Sequence, residues 1–383
     1  MIDKILVEQK NNVKKIACMD NGSLVEFFVV DGNKANEGNI YLGKISKKIV
    51  TANNKTAYFV NIGDTKDAFI NAEEKNLEDL EALEGQDVIV QVSQEQRAEK
   101  GARLVRFLRL AGVYLVYDPY GEEINISNKI EDDEIREDLL NFVSQNTNKG
   151  GFTIRTSAKD ISKNDILNEM RFLENLFDNI IAKAKTSKSP SLLYLKDNVV
   201  EEIISRQNVD LQKIVVNSHV LEEDFSSFGE IEYDKDVFEN NGILEKLDEA
   251  LQKEVKLACG GRVIIEETKA FVSIDVDSGE GYTQGGFNRL NNEAAVEIAK
   301  QIILRNLSGK IIIDFAGISD YKFLKNSIDI LDKELSDDVC KARVLGLSRA
   351  GNVEVVRNRR RPTLQDLFSE ECPTCKGTGR VEK

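Results

Sequence analysis

The chain has 383 residues, with 52 Lys and Arg against 66 Asp and Glu, a formal charge of −14. That length exceeds one ordinary hydrophobic core and predicts two or more domains. At 41% hydrophobic and 31% charged residues, with no long apolar run and no leader-like N-terminus, the composition excludes a disordered polar chain and a membrane-spanning one.

The first 35 residues predict strands at Ile5–Val7, Val13–Ala17 and Leu24–Val30, separated by the turn signals Asn11-Asn12 and Asp20-Asn21-Gly22. Short strands continue at Ile40–Ile45, Thr56–Ile62, Asp67–Ile70 and, after an acidic stretch, Asp87–Ser93. Strands this short with glycine turns predict a small barrel. Helices are expected over Asp132–Val143 and Asp160–Ala184, around a strand at Gly151–Arg155, and Ser187–Pro190 reads as a linker. Beyond it come a helix at Val199–Ser205, a strand at Lys213–Asn217 and an amphipathic helix at Leu244–Leu257. A hairpin (Arg262–Glu266 and Ala270–Val276), a helix (Asn292–Leu304), a strand (Lys310–Phe315) and a helix (Tyr321–Ser336) follow. The overall expectation is a mixed α/β, multidomain protein.

Three features carry chemistry. Asp275 and Asp314 each close an apolar strand, and Asp277 shares a strand face with Asp275. If the strands are neighbours, three carboxylates converge in an oxygen-rich set that suits magnesium; an aspartate there is also an ordinary helix cap or turn residue. Lys341, Arg343, Arg349, Arg357, Arg359, Arg360 and Arg361 stand against one acid, Glu354, in a chain that is otherwise acidic. Such a run fits a phosphodiester partner, a solvated face or a latch onto an acidic helix. The Cys372-Pro-Thr-Cys375-Lys-Gly-Thr-Gly ending has zinc-knuckle half-site spacing, and no thioredoxin-like context surrounds it to make a redox pair. Cys18, Cys259 and Cys340 are isolated and expected to be buried apolar residues, and the lone His219 a structural one. The economical zinc site takes two cysteines from each of two chains. Cysteine usage predicts a cytoplasmic protein.

These residues resemble the catalytic core of the bacterial ribonuclease E/G family. The segments Gly261–Glu266 through Ser273–Gly279, Ile311–Phe315, Leu347–Gly351 through Glu354, Arg357 and Arg359, and the Cys-Pro-x-Cys-x-Gly-x-Gly ending follow the family's motifs in order. The resemblance implies an RNase H-like subdomain split between residues 1–38 and 188–252. An OB-fold RNA-binding domain at 39–115 and a 5′-sensor region at 116–187 would lie between its two parts. A DNase I-like subdomain at 253–362 and a zinc link at 363–383 would complete the chain. It implies that Asp275 and Asp314 hold magnesium and that Asp277, where the family usually has asparagine, takes part in catalysis. Arg155, Thr156 and Arg343 would read a 5′-monophosphate. Phe59, Phe69 and Lys100 would contact RNA, with core packing the other reading of the two phenylalanines. Cys372 and Cys375 would share a zinc between two chains. The implied activity is a magnesium-dependent endoribonuclease on single-stranded, A/U-rich RNA, stimulated by a 5′-monophosphate, in rRNA processing and mRNA decay. The alternative is a catalytically weak RNA-binding protein of the same fold, acting in ribosome maturation.

Overall fold

The computed structural model describes residues 1–50, 55–71, 83–96, 100–206, 209–279, 286–317, 320–370 and 372–375. It has two compact units: Met1–Ile16 with Val29–Tyr233, and Ala17–Phe28 with Asp234–Lys383. The chain opens with strands β1 (Ile2–Lys10), β2 (Val13–Asp20) and β3 (Ser23–Asp31). Asn11 and Asn21 take the left-handed turn conformations between them, at φ of 55° and 47°, which asparagine tolerates better than most residues.

Within the first unit, β4 (Ile40–Val50), β5 (Thr56–Asn61), β6 (Ala68–Ile70), β7 (Asp87–Gln94) and β8 (Arg103–Val105) run in the order β4-β5-β6-β8-β7, and β7 pairs back onto β4. That closes the expected small barrel, in the manner of an OB fold, and closure removes the sheet edges. Tyr58, Val60, Ala68, Ile70, Val90, Val92 and Leu104 fill it. Gly43 lets β5 approach β4, since a Cβ there would lie 2.5 Å from Val60 Cγ1.

Next along the chain, β9 (Leu110–Ala111), β10 (Leu115–Asp118), β11 (Ile124–Ile126), α1 (Asp133–Asn146), β12 (Gly151–Ile154) and α2 (Lys163–Thr186) form a sheet in the order β11-β12-β10-β9 with two helices. Asp132 and Ser162 cap the two helices with their side-chain oxygens, so each begins one to three residues later than the apolar period suggests. The Ser187–Pro190 segment leads into β13 (Ser191–Tyr194), which pairs antiparallel with β4. Then come α3 (Val199–Ile204), β14 (Val209–Val216), α4 (His219–Phe225) and β15 (Ile231–Tyr233), with β14 parallel to both β1 and β15.

The second unit holds α5 (Val237–Asn240), α6 (Ile243–Ala250), β16 (Glu254–Lys256), β17 (Arg262–Glu267), β18 (Val272–Asp277), α7 (Gly286–Leu304), β19 (Gly309–Asp314), α8 (Tyr321–Leu335), β20 (Arg343–Leu347), β21 (Val353–Arg357) and α9 (Leu364–Phe368). Its sheet runs β16-β17-β18-β19-β21-β20. The helix expected over Leu244–Leu257 stops at Ala250, and Glu254–Lys256 pairs with Arg262–Ile264 instead. Backbone pairing at the sheet edge outweighs the helical period over the last residues of that segment. Only β18 and β19 run parallel, joined through α7, as a parallel connection requires. One sheet face buries Val263, Ile265, Ile274, Val276, Ile311, Ile313, Val353 and Val355 in a core with residues of α7 and α8. The alternate residues lie on the opposite face, and the acidic ones are among them.

Candidate active site

Strand pairing places Asp275 opposite Asp314. Both are exposed, toward the C-terminal ends of neighbouring parallel strands, where open α/β sheets bind their ligands. Partial burial, then the charges of Asp314 and Asp277, push the Asp275 carboxyl above the ordinary range. Asp277 shares that face but is turned to the neighbouring strand. Its Oδ2 accepts from Arg262 Nε (2.9 Å) and Nη2 (2.6 Å), and its Oδ1 from the Gly279 N–H (2.9 Å). Those bonds, the Gly279 amide first, hold its carboxyl below the usual range. Arg262 also reaches Glu254, at 3.2 Å. The three carboxylates therefore form a facing pair and an arginine-held third. No group of three or more His, Cys, Asp or Glu able to hold a metal forms among the described residues. A pair of like-charged carboxylates facing water is nonetheless a donor set that magnesium accepts, because it needs only one or two and keeps its waters.

Asn291, a buried polar residue in the apolar stripe of α7 that sequence reasoning passed over, braces the segment after Asp314. Its side chain accepts from the Ala316 N–H (3.1 Å) and donates to the Ala316 carbonyl (2.9 Å). The basic run divides. Arg343 at the start of β20, Arg349 and Arg359 are exposed. Arg357 is buried, held by Asp338 through Nε (3.0 Å) and Nη2 (2.9 Å) and by Asn306 and the Leu307 carbonyl. Arg357 is thus structural, and Arg361 stacks over Phe28 at 4.0 Å from the ring centroid.

In the first unit, Arg155 and Thr156 follow β12. The Arg155 guanidinium is half-buried, donates to the Gly112 carbonyl and has its pKa lowered by burial, with Glu202 and Glu169 opposing. The Thr156 hydroxyl shares a hydrogen bond with Ser127 at 2.9 Å. On the barrel, Phe59 and Phe69 are not core. They lie half-exposed on its outer face with ring centroids 5.3 Å apart. Strand register extends them into a row, Lys47 opposite Phe59 and Arg103 opposite Phe69. Lys47 and Arg103 went unnoticed in the sequence, although outward positions of alternating strands flanking two aromatics carry that signal. Lys100 is exposed three residues before Arg103.

Cys18 and Cys340 are buried as expected, and Cys259 is half-buried. His219 is exposed, stacked on Tyr233 and bonded to Glu222. Cys372 lies near the surface, its thiol pKa lowered chiefly by backbone N–H donation from Cys375 and Thr374. That favours the thiolate a metal takes, and the two sulfurs amount to half a tetrahedral set.

A closed barrel with a basic and aromatic outer row, together with an acidic pair at strand ends, defines an α/β protein equipped to act on nucleic acid. Comparison with known proteins narrows the class. The model of the Ribonuclease E/G family matches residues 109–360. The chain is 29% identical over its whole length to "Ribonuclease G" of Salmonella typhimurium, covering 85% of that protein. It is 30% identical to "Ribonuclease G" of Haemophilus influenzae over 99% of this chain and 84% of the other. To "Ribonuclease E" of Synechocystis it is 29% identical, over 100% of this chain and 60% of that longer protein. The chain belongs to the Ribonuclease E/G family and is an endoribonuclease. No helix among the described residues is long and apolar enough to cross a membrane.

Proposed function

We propose that this endoribonuclease is magnesium-dependent and cuts single-stranded, A/U-rich RNA. In this reading it is stimulated by a 5′-monophosphate and serves rRNA processing and mRNA decay in the cytoplasm. The observation that carries the proposal is the in-register pair Asp275 and Asp314 on the sheet face opposite α7 and α8. These two would hold the ion, which when bound shields phosphate charge and acidifies a water. Asp277 Oδ1 takes one amide hydrogen bond and can accept another, from the attacking water. Attack on phosphorus in that position leaves a 3′-hydroxyl and a 5′-phosphate. Arg343, Arg349 and Arg359 are exposed and would neutralise backbone phosphates. The row Lys47, Phe59, Phe69 and Arg103, with Lys100, would hold bases by stacking and the backbone by charge. Arg155 and Thr156 would bind the terminal phosphate.

Cys372 and Cys375 would supply half of a zinc site shared with a second chain, making a homodimer. The subdomain scheme of the resemblance, RNase H-like, OB-fold, 5′-sensor, DNase I-like and zinc link, belongs to the same reading. The decisive experiment compares cleavage of one A/U-rich oligoribonucleotide bearing a 5′-monophosphate or a 5′-hydroxyl, in magnesium and in chelator. Internal cleavage that requires magnesium and is faster with the monophosphate is expected. RNA bound but never cut would point to the RNA-binding alternative.

A further inference from the structure

Glu169, on α2, has a carboxylate that accepts three backbone hydrogen bonds. Its Oε1 accepts from the Val113 N–H (2.6 Å), and its Oε2 from the N–H groups of Tyr114 (2.8 Å) and Leu115 (2.7 Å). Three successive amides aimed at one anion make a concave nest. Burial pushes the Glu169 pKa up, and the three amides with the Arg155 charge pull it back. The carbonyls of the same turn point to Arg155–Ser157. Gly112 O accepts from the Arg155 guanidinium, Val113 O from Ser157 Oγ (2.6 Å) and Tyr114 O from the Arg155 N–H (2.8 Å). The turn itself is closed by Gly112 N–H to Leu115 O at 2.8 Å. Gly112 leaves room for the carboxylate, since a Cβ there would lie 2.5 Å from Glu169 Cδ. The turn is thus gripped by Glu169 on its amide side and by the Arg155 segment on its carbonyl side.

We propose that Glu169 is a positioning residue for 5′-end recognition: it fixes the Gly112–Leu115 turn on which the Arg155 guanidinium is aimed. This rests on the reading of Arg155 and Thr156 as the terminal-phosphate pocket. Glu169 does not reach the substrate. Without its carboxylate three amides lose their acceptor, the Gly112 carbonyl loses its fixed place, and Arg155 is left to the pull of Glu202.

The test measures kcat and KM for matched 5′-monophosphate and 5′-hydroxyl oligoribonucleotides with the wild-type chain, Glu169→Gln, Glu169→Asp and Arg155→Ala. Glutamine adds a donor where donors already converge. Glu169→Gln should therefore lose on the order of tenfold in monophosphate preference, through KM, with 5′-hydroxyl cleavage unchanged. Glu169→Asp, which keeps a carboxylate, should recover part of it. Gly112→Ala, which pushes the carboxylate off the nest, should reproduce the loss if Glu169→Gln fails to fold. A preference lost in Arg155→Ala but retained in Glu169→Gln overturns the proposal. Equal loss on both substrates in Glu169→Gln and Gly112→Ala also overturns it, leaving a purely structural glutamate. A preference retained in Arg155→Ala sinks the pocket reading and the proposal with it.

Discussion

Replacing Asp275 by Asn should move activity and stability in opposite directions. Asp275 faces Asp314 across adjacent strands, a spacing of about 4.8 Å. Two unit charges at that distance repel by roughly 1 kcal/mol at the dielectric of water. Asp275 is largely solvated, so the low-dielectric figure does not apply and screening trims even this value. Asp275→Asn should therefore stabilise the metal-free protein by about 0.5–1 kcal/mol, raising the midpoint of thermal unfolding by roughly 1–4 °C. The sign follows from the raised carboxyl. A folded-state pKa above the unfolded value gives stability that is complete below about pH 4 and lost as pH rises through the folded value. The advantage of Asn should accordingly appear at neutral pH and vanish in acid. Magnesium should raise the unfolding temperature of the parent by mass action and leave the variant nearly unmoved. Cleavage should fall on the order of 10³-fold, as for other groups that stabilise developing charge. Circular-dichroism melts in chelator and in magnesium, at neutral and acid pH, read the first effect, and oligonucleotide cleavage the second. A variant that is less stable than the parent at neutral pH, or that cleaves at the parental rate, would refute the reasoning.

Three further outcomes are expected. Asp338→Asn leaves Arg357 buried without its counter-charge, both side chains being 2% exposed or less. It should cost about 3–5 kcal/mol, visible as a loss of roughly 6–20 °C in thermal unfolding; an unchanged melt would mean the pair contributes nothing. Phe59→Ala with Phe69→Ala should weaken single-stranded RNA binding by about 1–3 kcal/mol per stacked base, read by fluorescence anisotropy in chelator. Unaltered affinity would mean that the two rings do not touch RNA. Cys372→Ser with Cys375→Ser should lower bound zinc and shift sedimentation toward monomer. A dimer that persists without zinc would place the interface elsewhere.

Much of this protein was legible in its residues because local rules govern it. Short strand-like runs between glycine turns marked the barrel, and the apolar runs ending in Asp275 and Asp314 marked the two strands that carry the acidic pair. Tertiary structure decided what those residues meet. The Glu254–Lys256 edge strand replaced the end of a helix, since a free sheet edge offers partners that no local period encodes. The same holds for Asp277, whose carboxylate is taken by an arginine fifteen positions earlier in sequence but opposite it in register. Arg357 looks in sequence like one more phosphate ligand, and its burial against Asp338 appears only when β21 packs. Glu169 reads as an ordinary charge on a helix until folding brings three amides onto it from more than fifty residues away. Composition and period determine which residues face inward. Which charges neutralise one another depends on long-range pairing, because Coulomb and hydrogen-bond energies follow distance in space and not separation along the chain.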